Sequence, residues 1–249
     1  MEILQKLLSM PKLASVEGRD IDTLMYLIHG LMLILFIGWA IYFIVVLVKF
    51  RQSKNPVVKH KDGHGEGITA VIEWAVAGFE FLLLFAFSIP FWAVNVATLP
   101  TGKDVVEVKV VGQQFAWLVH YPGPDGKFGR ASAKFLDDNP LGLDKSDPDV
   151  KDDITTMNQI NVPLGKTVVI RMSSKDVIHS LGIPVMRVKQ DVIPGMNTFV
   201  KFTPTEVGQF EIVCSQLCGL GHYAMRGVLN VMPQEEYNQW VQEEKGNHD

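Results

Sequence analysis

The sequence of 249 residues contains only two cysteines, Cys214 and Cys218. Neither the paired C-x2-C hooks of a zinc ribbon nor a zinc finger's second histidine accompanies them, so a closed tetrahedral zinc site is poorly supported. No C-x-x-C-H occurs, so no covalently attached haem is expected on this chain. Basic residues are not in excess, with 23 Lys and Arg against 27 Asp and Glu, which argues against nucleic acid as a partner. The first twenty residues lack an apolar core followed by a small-residue cleavage site, so no cleavable signal is needed for export if the first long apolar run can direct it.

Charge is absent altogether between Asp22 and Lys49. The run at 24–48 is dominated by Leu, Ile, Val and Phe, and a second run at 72–96 carries only Glu73 and Glu80 as charges. Each is long enough to cross about 30 Å of hydrocarbon as a helix. The link at 49–71 holds Lys49, Arg51, Lys54, Lys59 and Lys61 against Asp62 and Glu66, and the positive-inside bias assigns it to the cytoplasm. A two-pass hairpin over 21–99 in a bacterial-type inner membrane is therefore expected, with both termini and everything after 100 on the periplasmic or outer face. That outer part, residues 101–249, carries 15 basic and 19 acidic residues, which suits a basic protein partner. Residues 1–20 read as a short amphipathic segment on the outer membrane surface, interrupted by Pro11.

Beyond Asp104 the period changes to two. Val106, Val108 and Val110 alternate with Glu107 and Lys109, as in a half-buried strand. Further strands are expected at Ile154 to Val162, Thr167 to Met172, Val177 to Ile183, Asn197 to Thr203, Gly208 to Cys214 and Arg226 to Val231. Turn signals such as Pro163-Leu-Gly165 and Ile193-Pro-Gly195 separate them. The expected domain at 100–233 is an all-β sandwich, followed at 234–249 by a helix and tail. Asp137 to Asp153 holds seven aspartates and reads as an exposed, solvated acidic loop.

The stretch Cys214-Ser-Gln-Leu-Cys218-Gly-Leu-Gly-His222-Tyr-Ala-Met225-Arg-Gly gathers two thiols, an imidazole and a thioether. Those are the soft donors that copper selects. His179, closing the strand-like run Lys175-Asp-Val-Ile-His179, is the best source of a further imidazole. A disulfide would explain the cysteines alone, and a single blue-copper ion would use one of them. Two thiolates bridging two copper ions, each capped by one His, with Met225 and a backbone carbonyl as outer ligands, leave no donor unused.

The loop C-S-Q-L-C-G-L-G-H-Y-A-M-R-G resembles the binuclear CuA loop of cytochrome c oxidase subunit 2, and Lys175 to Gly182 resembles that family's D-V-x-H-S segment. Lys189-Gln-Asp-Val-Ile-Pro-Gly195 is similar to a segment that the family usually has between them. The resemblance implies a cupredoxin-like sandwich and two copper ions held by His179, Cys214, Cys218, His222, Met225 and the main-chain carbonyl of Gln216. It implies an oxidoreductase complex in which this chain takes electrons from a separate cytochrome c and passes them to a haem-copper catalytic subunit. That subunit and its companions would reduce dioxygen to water and translocate protons.

By the same resemblance, Phe115 and Trp117 in Gly112-Gln-Gln-Phe-Ala-Trp117 stand where the family's G-H-Q-W-x-W receives electrons. Asp191 is the candidate for cytochrome c docking. Glu73 and Glu80 are candidates for a proton-path entrance or a subunit contact, although the family's Glu-x-x-Trp spacing is replaced by Glu73-Trp74. Gln216 stands where many relatives have a Glu whose carboxylate binds magnesium, so that site is weakened and magnesium is not claimed as a cofactor. Among competing readings, a quinol oxidase subunit lacks the copper donors, and a soluble nitrous oxide reductase has a second histidine-rich domain. A CuA-bearing nitric oxide reductase subunit and a membrane-tethered copper carrier remain as alternatives.

Overall fold

The computed structural model describes residues 9–53, 67–100, 102 and 104–247. They divide into two compact units, a helical one over 20–94 and a second that joins the N-terminal stretch up to Arg19 to everything from Asn95 onward.

In the helical unit, α1 spans Gly18–Lys49 and α2 spans Ile68–Leu82. Beyond α2 the helix continues through a widened stretch, Leu83–Ser88, into α3, Ile89–Trp92, and a second widened stretch, Ala93–Ala97. Pro90 explains the first widening, because its ring displaces the carbonyl that an ordinary helical turn would place beneath it. The Ile89 N–H accordingly donates to Leu84 O, five residues back. Both helices are long and apolar enough to cross a membrane, and their most apolar windows bury nothing among the described residues. Leu33, Phe36, Trp39 and Phe43 are among the side chains left exposed, a surface that water does not tolerate and that lipid covers. The protein is membrane-anchored. Most of the expected link at 49–71 lies outside the described residues.

The second unit is a sandwich of two five-stranded sheets. One contains β1 (Val105–Gln113), β2 (Ala116–Tyr121), β3 (Ile154–Met157), β5 (Thr167–Ser174) and β8 (Thr198–Phe202), in the order β3-β2-β1-β5-β8. The other contains β4 (Gln159–Pro163), β6 (His179–Ile183), β7 (Val188–Val192), β9 (Gly208–Cys214) and β10 (Arg226–Met232), in the order β4-β10-β9-β6-β7. Val108, Val110, Ile170, Phe202, Ile212 and Leu229 fill the space between the sheets. The terminal helix α4 (Gln234–Glu244) sets Trp240 edge-on against Tyr121, ring centres 5.0 Å apart.

Three expectations are corrected by the sandwich. Ile154 to Val162 is not one strand, because Asn158 adopts φ 58, a left-handed conformation that Asn tolerates, and sends β3 and β4 into different sheets. Its amide oxygen accepts Trp117 N–H and its own N–H donates to Trp117 O, so the break is itself bonded. Of the expected amphipathic segment at 1–20, residues 1–8 lie outside the described residues, while 11–17 dock on the sandwich and α1 begins at Gly18. The docking is bonded, with Ala14 N–H donating to Val185 O, Thr205 N–H to Ala14 O, and Glu17 accepting from Thr203, and Ala14 is buried. The stretch from Asp137 to Asp153 is not uniformly solvated, since Asp153, Leu143 and Val150 are buried and Arg130 pairs with Asp144.

Across the sandwich, the buried Tyr121 hydroxyl accepts Asn161 N–H at 2.7 Å. Tyr121→Phe is expected to lower the unfolding free energy by about 1–3 kcal/mol, measured by denaturant titration, because that N–H would be left buried and unpaired.

Candidate metal centre

The site is built where β9 and β10 are joined. Cys214 ends β9, Arg226 begins β10, and Cys214 N–H donates to Met225 O at 3.2 Å, so the intervening loop opens and closes on one rung. The neighbouring strand β6 pairs Leu181 with Cys214, and Ser215 N–H donates to Ser180 O. This register places His179, the first residue of β6, beside the loop's thiols.

The donor atoms converge. The ligand atoms of His179, Cys214 and Cys218 all lie within 4.8 Å of one another. Cys218 Sγ is 3.8 Å from Cys214 Sγ, 3.8 Å from Met225 Sδ and 3.7 Å from His222 Nδ1. Gln216 O lies 3.2 Å from Cys214 Sγ. Both cysteines are free thiols, so the disulfide reading does not describe this state. All six positions expected to supply donors therefore lie in one cluster, with His179 and Met225 buried and His222 half-buried.

Two features fit this cluster to a soft metal ion. His179 Nε2–H donates to Asp176 Oδ1 at 2.8 Å, while its buried Nδ1 has no hydrogen-bond partner among the described residues. An orphaned imidazole nitrogen costs free energy unless something binds it, and its position beside the thiols makes it a ligand atom. Burial, and after it the adjoining Cys214 thiol, push the Cys218 thiol up to about 11, so a thiolate here calls for a cation beside it. Burial also opposes ionisation of Asp176, but hydrogen bonds from His179 and from the N–H groups of Gln114 and Val177 outweigh it and hold the carboxyl below its usual range. The imidazole is thus kept with its free nitrogen toward the sulfurs.

The turn between β1 and β2 covers the loop. Phe115 is 37% exposed and lies over Gly221, where a Cβ would come within 2.5 Å of the ring. Trp117 is wholly buried and stands edge-on to His179, ring centres 6.0 Å apart. Asp191, on β7, is exposed and pairs in register with Ser180, next to His179. Glu73 and Glu80 lie on α2, in the helical unit, and both are exposed. Asp176 and Gln114 were not singled out from the sequence. The signal for each was its match to a motif, Asp176 to the Asp of D-V-x-H-S and Gln114 to the Gln of G-H-Q-W-x-W, but neither match indicates a contact with the donors.

The family model for the periplasmic domain of cytochrome c oxidase subunit II matches residues 106–232. An alternative cytochrome c oxidase subunit 2 from Bradyrhizobium diazoefficiens is 36% identical over 144 residues, covering 57% of this chain and 52% of that protein. The chain thus spans about half the length of that relative. A heme-copper oxidase subunit 2 from Aeropyrum pernix is 30% identical over 207 residues, covering 79% of this chain and 77% of that one. The crystal structure of the periplasmic domain of subunit II of cytochrome oxidase (CoxB) of Bradyrhizobium japonicum aligns with a TM-score of 0.44 at 29% identity, covering 59% of this chain and 96% of that one. With a family match over just over half of its length, and a relative of this identity aligned over most of it, the chain belongs to the cytochrome c oxidase subunit II family.

Proposed function

We propose that this chain is the electron-accepting subunit of a respiratory haem-copper oxidase that oxidises cytochrome c. The observation that carries the proposal is the buried, unpartnered Nδ1 of His179 facing two free thiols. The chain's ligands are His179, Cys214, Cys218, His222, Met225 and the carbonyl of Gln216. A binuclear copper centre bound there would supply one-electron chemistry with little rearrangement of its ligands. The protein's part is to hold the donors in place, since four of the side chains share one loop and His179 ties that loop to a separate strand.

Phe115 is the ring at which a donor protein meets the site, because it reaches the surface whereas Trp117 does not. Asp191, exposed and one strand from His179's neighbour Ser180, offers a charge to a basic cytochrome c, and such charges act mainly on the rate of encounter. The α1 and α2–α3 helices form a two-pass anchor with the sandwich on the periplasmic side, and Glu73 and Glu80 serve a proton-path entrance or a contact with the catalytic subunit. That subunit reduces dioxygen and translocates protons. A copper carrier needs an accessible, exchangeable site, and the burial of His179 on its own strand counts against it.

The test is stopped-flow reduction of the copper-loaded chain by ferrocytochrome c at low and high salt. Fast reduction that slows with salt is expected, and no reduction on any timescale would reject the role. Phe115→Ala is expected to lower the second-order rate about tenfold, as for an aromatic anchor at a contact centre. Trp117→Phe, which keeps a buried ring, should leave the rate near that of the wild type.

A further inference from the structure

Gln114 touches both halves of the donor cluster without supplying a donor. Its side-chain Nε2–H donates to Cys218 O at 2.6 Å, and its backbone N–H donates to Asp176 Oδ2 at 2.7 Å. Asp176 Oδ1 in turn accepts from His179 Nε2–H. A single turn residue therefore links the thiol-bearing loop to the imidazole-bearing strand. Gly219 is shaped for this contact: its φ is 136°, and a Cβ there would come within 2.7 Å of Gln114 Nε2. The next residue along the turn, Phe115, presses on Gly221 in the same way. By contrast, Gln113 points elsewhere and accepts from the exposed Lys175 Nζ.

We propose that Gln114 is a positioning residue for the metal centre, its amide holding the Cys218–Gly219 peptide so that the Cys218 sulfur stays aimed into the donor cluster. The inference rests on the copper reading above and adds a residue that has no donor role in it. Cys218 Sγ lies within 3.8 Å of three other donor atoms, so a small rotation of its peptide moves the thiol relative to all of them. Partners that orient metal ligands typically contribute 10–100-fold to metal affinity.

The test uses the full chain in detergent, loaded with copper. Gln114→Glu keeps the shape but places an oxygen against the Cys218 carbonyl, and Gln114→Met removes the donor without adding charge. Gln113→Glu, at the end of β1 next to it, serves as the control. Copper release to bathocuproine disulfonate is expected to accelerate about tenfold or more in both Gln114 variants. Their copper hyperfine splittings should also shift, while Gln113→Glu behaves as wild type. Release and spectra like wild type in Gln114→Met overturn the proposal, as does an equal effect from Gln113→Glu. Failure of both Gln114 variants to fold before copper is added also overturns it, because the residue would then be a fold determinant. A wild-type chain that takes up no copper overturns the copper reading and this role together, whereas full loading with indifferent variants overturns the positioning role alone.

Discussion

Cys218→Ser is expected, on the proposed binuclear reading, to reduce the copper content of the chain from two ions to one or none and to abolish the thiolate charge-transfer bands. The position is the hub of the cluster, since its sulfur is the one within 3.8 Å of Cys214 Sγ, His222 Nδ1 and Met225 Sδ alike. A serine oxygen is a hard donor that does not bridge copper, and it leaves the remaining side chains as separate, incomplete sets. Cys214→Ser should have the same consequence, whereas loss of the Met225 thioether should mainly alter the potential. Elemental analysis per chain with visible spectra decides the matter. Two coppers retained in Cys218→Ser would mean that this sulfur bridges nothing.

Asp153→Ala is expected to be the most destabilising substitution away from the metal centre. Asp153 and His120 are buried together, with His120 Nε2–H donating to Asp153 Oδ2 at 2.6 Å and Gly129 N–H donating to the same oxygen at 2.9 Å. The Asp153 carbonyl also accepts Gly246 N–H, so one residue pins β2, the long stretch after it and the segment beyond α4. Removing the carboxylate strands two buried donors at once and should cost about 3 kcal/mol or more. For a domain of this size that corresponds to a fall of roughly 10 °C in Tm by calorimetry. Copper content should not change in the protein that remains folded, because none of these groups touches the donor cluster.

The parts of the fold that were legible in the sequence are those where one physical signal dominates. Period-two alternation located β1, and the long apolar runs located both helices. β2 escaped because five consecutive residues, Trp117 to Tyr121, are buried, so no alternation marks it. The β3–β4 break depended on one residue's backbone hand, which Asn permits but does not announce. Docking of residues 11–17 on the sandwich is a long-range pairing with Val185, Thr203 and Thr205 that no local pattern encodes. At the site, the donors were legible because thiols, imidazoles and thioethers are rare and chemically specific. The roles of Asp176 and Gln114 were not, although both match motif positions, since carboxylates and amides are common and only the folded chain shows which of them meets a ligand.

The most direct test of the copper reading is low-temperature electron paramagnetic resonance on the full chain in detergent, loaded with copper, alongside a metal count. Two coppers per chain with a seven-line hyperfine pattern are predicted, the mark of one unpaired electron shared by two nuclei. A four-line pattern from a single copper, or no copper with Cys214 joined to Cys218, would contradict it.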